Sequence, residues 1–243
     1  MINSLKNDGI HVCMVNLHDY YNDELYFYDL LSEDERARSV QIFSRTHEKN
    51  FILTRGILRR IIGDYLEIDP RKIKFSYGKY GKPFLYNPMK KNELYFSVSH
   101  SGNIFLCAFS KNSELGVDVE KIEHLEYFEL IAEDFFYAGE ILSFKKIPFL
   151  KRREYFFKHW TRKEAFIKMI GYGLCCPMNQ FELSLLPKTP PTLCYIHSDF
   201  NVVREPVLKD LNGYPGYAAA LAFEGPSGNR NIQFLKYQDM QLV

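Results

Sequence analysis

The chain carries the stretch W-T-R-K-E-A-F-I-K at residues 160–168, and neither glycine nor proline occurs from residue 151 to residue 170. Apolar side chains recur there at helical spacing, at Phe156, Trp160 and Ile167. This spacing predicts a helix, on which Glu164 and Lys168 share a face because they are four residues apart. A Glu–Lys pair one turn apart is commonly an exposed pair of little energetic value, so the stretch alone leaves its role open.

A second stretch, G-V-D-V-E-K at residues 116–121, alternates apolar and acidic residues as a strand does. Side chains alternate between the faces of a strand, so Asp118 and Glu120 lie on one face while the two valines face the core. Two carboxylates on a half-buried face repel each other unless a cation lies between them. With Glu164 they form an oxygen-only set that suits Mg²⁺, which also takes phosphate oxygens. The pattern predicts a metal–phosphate site, although an Asp-x-Glu strand is often only the solvated face of a sheet.

Two short loops add polar groups of the kind that bind phosphate. Tyr80-Gly81-Lys82-Pro83 is predicted as a turn that holds Lys82 on a rigid loop. The strand predicted at 95–98 runs into a corner, Ser99-His100-Ser101-Gly102, which gathers hydroxyls, an imidazole and N–H groups at one point. Taken separately, each loop is also explained by ordinary turn chemistry.

Basic residues cluster on two predicted helices in the first half of the chain. A capping box, Ser32 with Glu35 three residues on, opens the first helix, which contains Arg36 and Arg38. The second helix is predicted over residues 46–66, and its polar side carries Lys49, Arg55, Arg59 and Arg60. A basic stripe of this kind is usually solvated, but it can also steer an anionic ligand.

The remaining patterns predict an α+β chain of two similar halves. Strands are predicted at 10–17, 73–77, 103–110, 181–185, 193–196 and 217–223, and the tail beyond them is unremarkable. Helices are predicted at 124–136 and from Tyr137 onward, with Glu140 near the second start. Gly171-Tyr172-Gly173-Leu174 is predicted to end the helix of residues 151–170. Because polar residues 111–114 separate the halves, we expect two α/β lobes, 1–112 and 113–243, with a cleft between them.

Composition argues against several classes of protein. The chain has 243 residues and a formal net charge of +1, which is unlike a general binder of nucleic acid or of membrane surfaces. Its start has no apolar segment typical of a secretory signal, and no apolar run approaches the ~18 residues of a membrane span. The five cysteines have no metal-ligand spacing; they are Cys13, Cys107, Cys175, Cys176 and Cys194. These features predict reduced thiols in a cytoplasmic protein.

The ordered set of motifs resembles the surfactin-type (Sfp-type) 4′-phosphopantetheinyl transferases. The strongest matches are residues 116–121 and 160–168, which stand at about the family's spacing. The weaker matches follow the family's order over nearly the whole chain: the two basic helices, Y-G-K-P at 80–83, F-S-V-S-H-S-G at 96–102, G-Y-G-L at 171–174 and G-Y at 216–217.

The resemblance implies a pseudo-twofold pair of lobes with the active site in the cleft. It implies an enzyme that transfers the 4′-phosphopantetheine of coenzyme A to a serine of a carrier protein and releases 3′,5′-ADP. The family's Mg²⁺ positions correspond to Asp118, Glu120 and Glu164, and Lys168 is expected at the pyrophosphate. The residues expected on the nucleotide side of coenzyme A are Arg36, Arg55, Lys82, Pro83, Ser99 and His100. A position just before Arg36 that is basic in the family is Glu35 here, which puts that contact in doubt.

The sequence leaves the proton acceptor and the carrier open. Glu164 and Glu140 are both candidates to accept the proton of the carrier serine. Peptide synthetase, polyketide synthase and fatty-acid carriers present similar acidic and apolar helices, so any of them fits. The predicted docking segment for such a helix is 144–153, which is rich in aromatic and basic residues. A monomer is expected because both lobes lie in one chain.

Two other functions fit parts of the pattern. A metal-dependent nuclease also uses Asp-x-Glu and Glu-plus-Lys sets, but it needs a basic surface for its polymer, which a net charge of +1 hardly provides. A non-catalytic module that binds nucleotides or carriers has no need of acidic residues at all three metal positions.

Overall fold

The structure, a computed structural model, describes residues 5–6, 8–86, 94–173, 176–185, 191–197, 206–225 and 230–240. Leu174 of the predicted glycine-rich stop, and Cys175, lie outside these ranges. Within them the chain forms helices and strands in a mixed α+β fold, which confirms the predicted fold class.

The helices are α1 (Glu24–Asp29), α2 (Glu33–Ser39), α3 (Arg45–Leu66), α4 (Phe128–Phe135), α5 (Ala138–Lys145) and α6 (Phe149–Ile170). The strands are β1 (Gly9–Asn16), β2 (Phe75–Tyr77), β3 (Pro83–Leu85), β4 (Tyr95–Ser101), β5 (Ile104–Ser110), β6 (Leu115–Lys121), β7 (Phe181–Leu183), β8 (Leu193–Ile196), β9 (Pro206–Asp210), β10 (Tyr217–Glu224) and β11 (Asn231–Leu235). The sequence patterns do not predict α1, β3, β9 or β11. The helix expected over 124–136 forms only as α4.

The first sheet has the strand order β11-β1-β5-β4. Its β1 and β4 both pair with β5 in antiparallel fashion. The apolar side of α3 buries Leu53, Ile57 and Ile61 in one core with Phe105 and Phe109 of β5. Burying these large side chains together is the main stabilising contribution of this half of the molecule.

The end of the chain returns to this first sheet. β11 pairs in parallel with β1, from Gly9 opposite Asn231 to Cys13 opposite Leu235. The expectation of an unremarkable tail is therefore wrong. β11 is short and only partly buried, so its sequence N-I-Q-F-L carries little alternation that could reveal a strand. The boundary near residue 112 stays a prediction, and a strand from beyond it contributes to the first sheet.

The second sheet has the order β6-β10-β9, is antiparallel, and packs against α6. Gly116 of β6 lies so close to α6 that a side-chain methyl at this position would overlap the carbonyl oxygen of Ala165. A glycine is required where the strand approaches the helix backbone this closely. The approach brings Asp118 within reach of Lys168 on the facing side of α6.

The face of β6 that carries the acidic residues is covered, contrary to a solvated strand face. Val117 and Val119 are buried as expected, but Asp118 is also only 3 % exposed. Glu120, nearer the strand end, is partly exposed. The cover comes from β4 and α6, whose side chains bond directly to Asp118.

β4 extends through the corner that the sequence predicts. The strand continues to Ser101, and the chain turns only at Gly102, which has a positive φ of 54°. Side chains alternate along a strand, so Ser99 and Ser101 share one face and His100 lies on the other. The hydroxyls and the imidazole are therefore directed to different surroundings rather than gathered at one point.

α6 has the predicted position and ends at a left-handed Gly171 with a φ of 76°, which confirms the glycine stop. It begins at Phe149, two residues before the predicted start. α3 and α6 each have 22 residues. In spite of the length of these two helices, no helix in the described ranges is both long and apolar enough to cross a membrane.

Candidate active site

Asp118, Ser99 and Lys168 form a closed set of hydrogen bonds where β4, β6 and α6 meet. The Lys168 ammonium donates to Asp118 Oδ1 (2.7 Å) and to Ser99 Oγ (2.9 Å). Ser99 Oγ in turn donates to Asp118 Oδ1 (2.8 Å). A cation and a hydroxyl therefore compensate one oxygen of a buried carboxylate, which would be costly to bury alone.

The other oxygen of Asp118 is not compensated. Oδ2 is buried and accepts no hydrogen bond from any residue that the structure describes. Buried carboxylate oxygens normally have a donor, and leaving one without a partner costs free energy. An unpartnered oxygen of this kind is available to a ligand.

Glu120 and Glu164 bring two further carboxylates into the same electrostatic environment. Glu120 Oε2 accepts a hydrogen bond from Ser101 Oγ (2.7 Å). Burial raises the pKa of Glu120, and the Asp118 charge adds to the rise, against the effect of the Ser101 hydrogen bond. Burial and then the Asp118 charge raise the pKa of Glu164 to about 7, with Lys168 opposing them. The carboxylates repel one another, and the nearby ammonium does not fully compensate them.

These carboxylates fit a hard divalent cation by their chemistry. Within the described part of the chain, no group of three or more His, Cys, Asp or Glu side chains is arranged around one metal position. Oxygen-only donors nevertheless suit Mg²⁺. Asp118 Oδ2 lacks a partner among the described residues, and a cation would lower the raised pKa values of Glu120 and Glu164.

Basic side chains converge beside Lys168 on α3 and β4. His100 lies at the surface. Its partial burial there is the main cause that lowers its pKa, and the charges of Lys168, His47 and Arg55 add to this effect. His47, Phe51 and Arg55 occupy successive turns on one side of α3. Arg55 Nη1 is buried and has no hydrogen-bond partner among the described residues. A group of cations with an unused donor suits a phosphate.

We call Arg38, His47, Arg55 and His100 the basic face. Two of these residues, Arg38 and His47, have no site role in the sequence analysis. His47 could have been found, because it lies eight residues before Arg55 and so shares its face of the helix. Arg38 lies on α2, and only packing shows its place. Its guanidinium is 5.5 Å from the centroid of the Phe51 ring, and that of Arg55 is 5.8 Å from the same ring.

Known families match both halves of the chain. Residues 21–112 match a model described as 4′-phosphopantetheinyl transferase, N-terminal, and residues 114–222 match the 4′-phosphopantetheinyl transferase superfamily. The 4′-phosphopantetheinyl transferase HetI of a Nostoc species is 33% identical over 190 residues, which cover 78% of this chain and 80% of that protein. The chain belongs to the 4′-phosphopantetheinyl transferase superfamily. It is a transferase of this class, which sets aside the nuclease and the non-catalytic module.

The transferase also resembles two further relatives. Sfp of Bacillus subtilis, a 4′-phosphopantetheinyl transferase, is 26% identical over 223 residues, covering 88% of this chain and 91% of Sfp. The L-aminoadipate-semialdehyde dehydrogenase-phosphopantetheinyl transferase of Xenopus laevis is 29% identical over 170 residues, covering 63% of this chain and 56% of that protein. The predicted resemblance to the Sfp type is confirmed.

In this transferase, Lys82 is engaged by the protein itself. Its ammonium donates to the Glu114 carboxylate and to the carbonyl oxygens of Leu115 and Met169 (both 3.2 Å). An ammonium has three donors, so these acceptors use all of them. Lys82 therefore ties the β2–β3 hairpin to β6 and α6, and Pro83 begins β3 beside it. Its expected role at the nucleotide stays a prediction and requires the ammonium to exchange Glu114 for a phosphate.

Arg36 and Glu35 adjoin each other but have different surroundings. Arg36 donates to the Asp29 carbonyl (3.0 Å) and lies 5.0 Å from the Tyr28 ring centroid, so its nucleotide contact stays a prediction. Glu35 is buried and accepts a hydrogen bond from Arg59 Nε (2.6 Å). The departure from the family pattern at Glu35 therefore places no exposed negative charge on the nucleotide side.

Glu140 is enclosed by its own partners and is only 1 % exposed. The donors to its carboxylate are Lys163 Nζ (2.8 Å to each oxygen), Leu183 N (2.7 Å) and Tyr137 N (2.8 Å). His159 Nε2 lies 3.0 Å from Oε1. Burial opposes ionisation, but His159, Lys163 and the Leu183 amide outweigh it and lower the pKa of Glu140. A carboxylate stabilised in this way is a weak base, so Glu140 is poorly suited to accept a proton.

Proposed function

We propose that this transferase moves the 4′-phosphopantetheine of coenzyme A onto a serine of a carrier protein, with Mg²⁺ held by Asp118, Glu120 and Glu164. The observation that carries the proposal is the incompletely satisfied Asp118, bonded to Lys168 and Ser99, beside a basic face. Phosphoryl transfer needs a fixed position and charge neutralisation more than covalent chemistry, and this arrangement offers both. Mg²⁺, when bound, would polarise the pyrophosphate and neutralise charge that develops on it.

The basic face supports binding of the nucleotide end of coenzyme A. Arg55 has an unused buried donor among the described residues, which suits a phosphate oxygen. His47 and Arg55 lie close enough to His100 for their charges to lower its pKa. Because its lowered pKa favours the neutral imidazole, His100 would act as a hydrogen-bond partner rather than as a charge.

Glu164 and Lys168 supply the groups for the chemical step. The carrier serine Oγ attacks the phosphorus that bears the pantetheine arm, the bond from that phosphorus to the ADP oxygen breaks, and the serine proton passes to Glu164. Without metal, burial and the Asp118 charge raise the pKa of Glu164 to about 7; a bound cation would lower it and keep the carboxylate ionised, and so able to accept a proton, at neutral pH. Lys168, one helical turn away, would stabilise the negative charge on the departing 3′,5′-ADP.

The finer assignments belong to the same proposal. We propose two lobes, 1–112 and 113–243, and the end of one family model at residue 112 and the start of the other at residue 114 support this division. We propose a cytoplasmic monomer that acts on carriers of peptide, polyketide or fatty-acid synthesis.

Measuring the mass of an apo carrier after incubation with the protein tests the proposal. With coenzyme A and MgCl₂, the carrier should gain one phosphopantetheine; with EDTA in place of MgCl₂, or with the carrier serine replaced by alanine, it should gain nothing. Transfer in EDTA would contradict the metal assignment. No transfer to peptidyl, polyketide and fatty-acid carriers alike would contradict the substrate.

A further inference from the structure

Side chains rather than a backbone ladder join the two main sheets beside the active site. β4 ends the first sheet and β6 ends the second, and within the described residues they belong to separate sheets. Ser97, Ser99 and Ser101 alternate along β4 and so share one face. Each of the three hydroxyls reaches across to β6.

The first and last of these hydroxyls have different partners. Ser97 Oγ accepts a hydrogen bond from Val117 N (3.1 Å) and thus contacts only the backbone of β6. Ser101 Oγ accepts from Lys121 N (3.1 Å) and donates to Glu120 Oε2 (2.7 Å). Ser101 therefore holds a functional carboxylate, whereas Ser97 holds the strand.

The direction of the Ser101 hydrogen bonds follows from the chemistry of the groups. A backbone amide can only donate, so the hydroxyl oxygen accepts from Lys121 N, and its own hydrogen remains for Glu120. The Glu120 carboxylate is thereby anchored to the backbone of the next residue of its own strand. Glu120 is only partly buried and has several rotatable bonds, so packing alone does not fix its carboxylate.

We propose that Ser101 is a positioning residue, which holds the Glu120 carboxylate beside Asp118 in the arrangement that receives a divalent cation. The inference rests on the proposed function, because it needs a metal at Asp118 and Glu120. In this proposal Ser101 acts through Glu120, the side chain to which its hydroxyl donates. Partners that orient metal-binding side chains typically change metal affinity by about 10–100-fold when they are removed.

Binding of Mn²⁺, followed by the electron paramagnetic resonance of the free ion, tests this role without reliance on turnover. In the presence of coenzyme A, Ser101→Ala should weaken Mn²⁺ binding about 10-fold. Coenzyme A affinity measured in EDTA should be unchanged. Ser101→Thr keeps the hydroxyl and should restore most of the metal affinity.

Ser97→Ala is the matched control, because it removes a hydroxyl from the same face of the same strand. It should lower the melting temperature, since Val117 N loses its partner, yet leave Mn²⁺ affinity at the wild-type value. In a Glu120→Gln background, Ser101→Ala should cause no further loss of affinity. If Ser101→Ala does not fold, Ser101→Cys replaces it, because a thiol has similar size but donates only weakly.

Equal Mn²⁺ affinity in Ser101→Ala and the wild type would overturn the positioning role. Equal losses in Ser97→Ala and Ser101→Ala would overturn it too, because the effect would then be a general loosening of the joined strands. A wild-type protein that binds no Mn²⁺ would overturn both the proposed metal site and the positioning role. If the wild type and Ser101→Ala both bind Mn²⁺ equally well, only the positioning role is overturned and the proposed metal site stands.

Discussion

Lys163 and Glu164 are adjacent in sequence, yet they belong to two polar clusters with opposite properties. The closed cluster consists of Glu140, Lys163 and His159, and both oxygens of its carboxylate have donors. The open cluster consists of Asp118, Glu120, Glu164 and Lys168. Asp118 Oδ2 in the open cluster has no donor among the described residues. Both clusters are largely buried, so burial alone does not separate them.

The difference lies in how completely each carboxylate is compensated. Partners lower the pKa of Glu140 in spite of burial, whereas burial and then a neighbouring carboxylate raise the pKa of Glu164 to about 7. The compensated Glu140 carboxylate contributes to stability and has no oxygen left for a ligand, although both ring nitrogens of His159 beside it lack a hydrogen-bond partner among the described residues. An uncompensated cluster costs stability until a ligand supplies the missing charge. We therefore propose that the closed cluster contributes to stability and that the open cluster carries the chemistry.

The largest expected effect comes from breaking the closed cluster. Glu140→Gln leaves the Lys163 ammonium buried without its carboxylate and should reduce the free energy of unfolding by about 3–5 kcal/mol, measured by urea denaturation. Glu133→Gln breaks the exposed pair with Lys145 and should change stability by less than about 0.5 kcal/mol. A Glu140→Gln protein that is as stable as the wild type but inactive would show that Glu140, not Glu164, is the base.

Removing the charge of Glu164 should raise the free energy of unfolding rather than reduce it. The pKa of this group is raised from its ordinary 4.5 to about 7 by burial, Asp118 and Glu120, against Lys168. Its stabilising contribution is complete below about pH 4.5 and is lost as pH rises through about 7. Without metal, Glu164→Gln should therefore exceed the wild type in stability at pH 8 by about 2 kcal/mol, with little difference near pH 4.5.

Glu164→Gln should lower activity, although it raises stability. Glu164→Gln should be slow at every pH, because an amide cannot accept the serine proton, and wild-type kcat should fall only as pH drops below the pKa of the metal-bound enzyme, which the cation holds under about 7. Added MgCl₂ should stabilise the wild type more than the variant. A variant that is less stable than the wild type at pH 8 without metal would contradict the account of the open cluster.

Replacing His100 tests whether the basic face beside the open cluster contributes to the binding of coenzyme A. His100→Ala should raise the KM for coenzyme A by about 10-fold, the worth of one hydrogen bond to a charged group, while kcat changes little. His47→Ala should act in the same way, because His47 and Arg55 both lie close enough to His100 to lower its pKa. An unchanged KM in a folded His100→Ala protein would remove His100 from the ligand contacts.

The smallest effect is expected at the exposed start of α6, in the predicted docking segment 144–153. Within the predicted docking segment, Leu150 is 93 % exposed, but Phe144 is buried and is therefore not available to a partner. Arg152 is also occupied, since it bonds Glu129 (2.8 Å). Reversing only the exposed Lys151 and Arg153 to Glu should raise the carrier KM a few-fold, less so at high salt, and leave the coenzyme A KM unchanged. A carrier KM that responds to neither change would place the docking site elsewhere.

The features that the sequence predicts well depend on neighbours within one or two turns. The capping box of Ser32 and Glu35, the course of α6 and its left-handed stop at Gly171 are all local. The features it misses depend on distant partners. β11 forms because β1 offers a free edge some 220 residues earlier, from Gly9 opposite Asn231. No pattern within five residues can reveal that pairing.

Periodicity alone places Asp118 with Glu120 on one face of a strand, and Glu164 with Lys168 on one face of a helix, because backbone geometry sets both periods. It cannot distinguish Glu140 from Glu164, since each is a glutamate on a predicted helix. Packing distinguishes them: Leu183 N and Lys163 complete the shell of Glu140, while α6 places Glu164 against the charge of Asp118. Whether a carboxylate can react depends on how many donors the folded chain leaves near it, and those donors come from segments far apart in sequence.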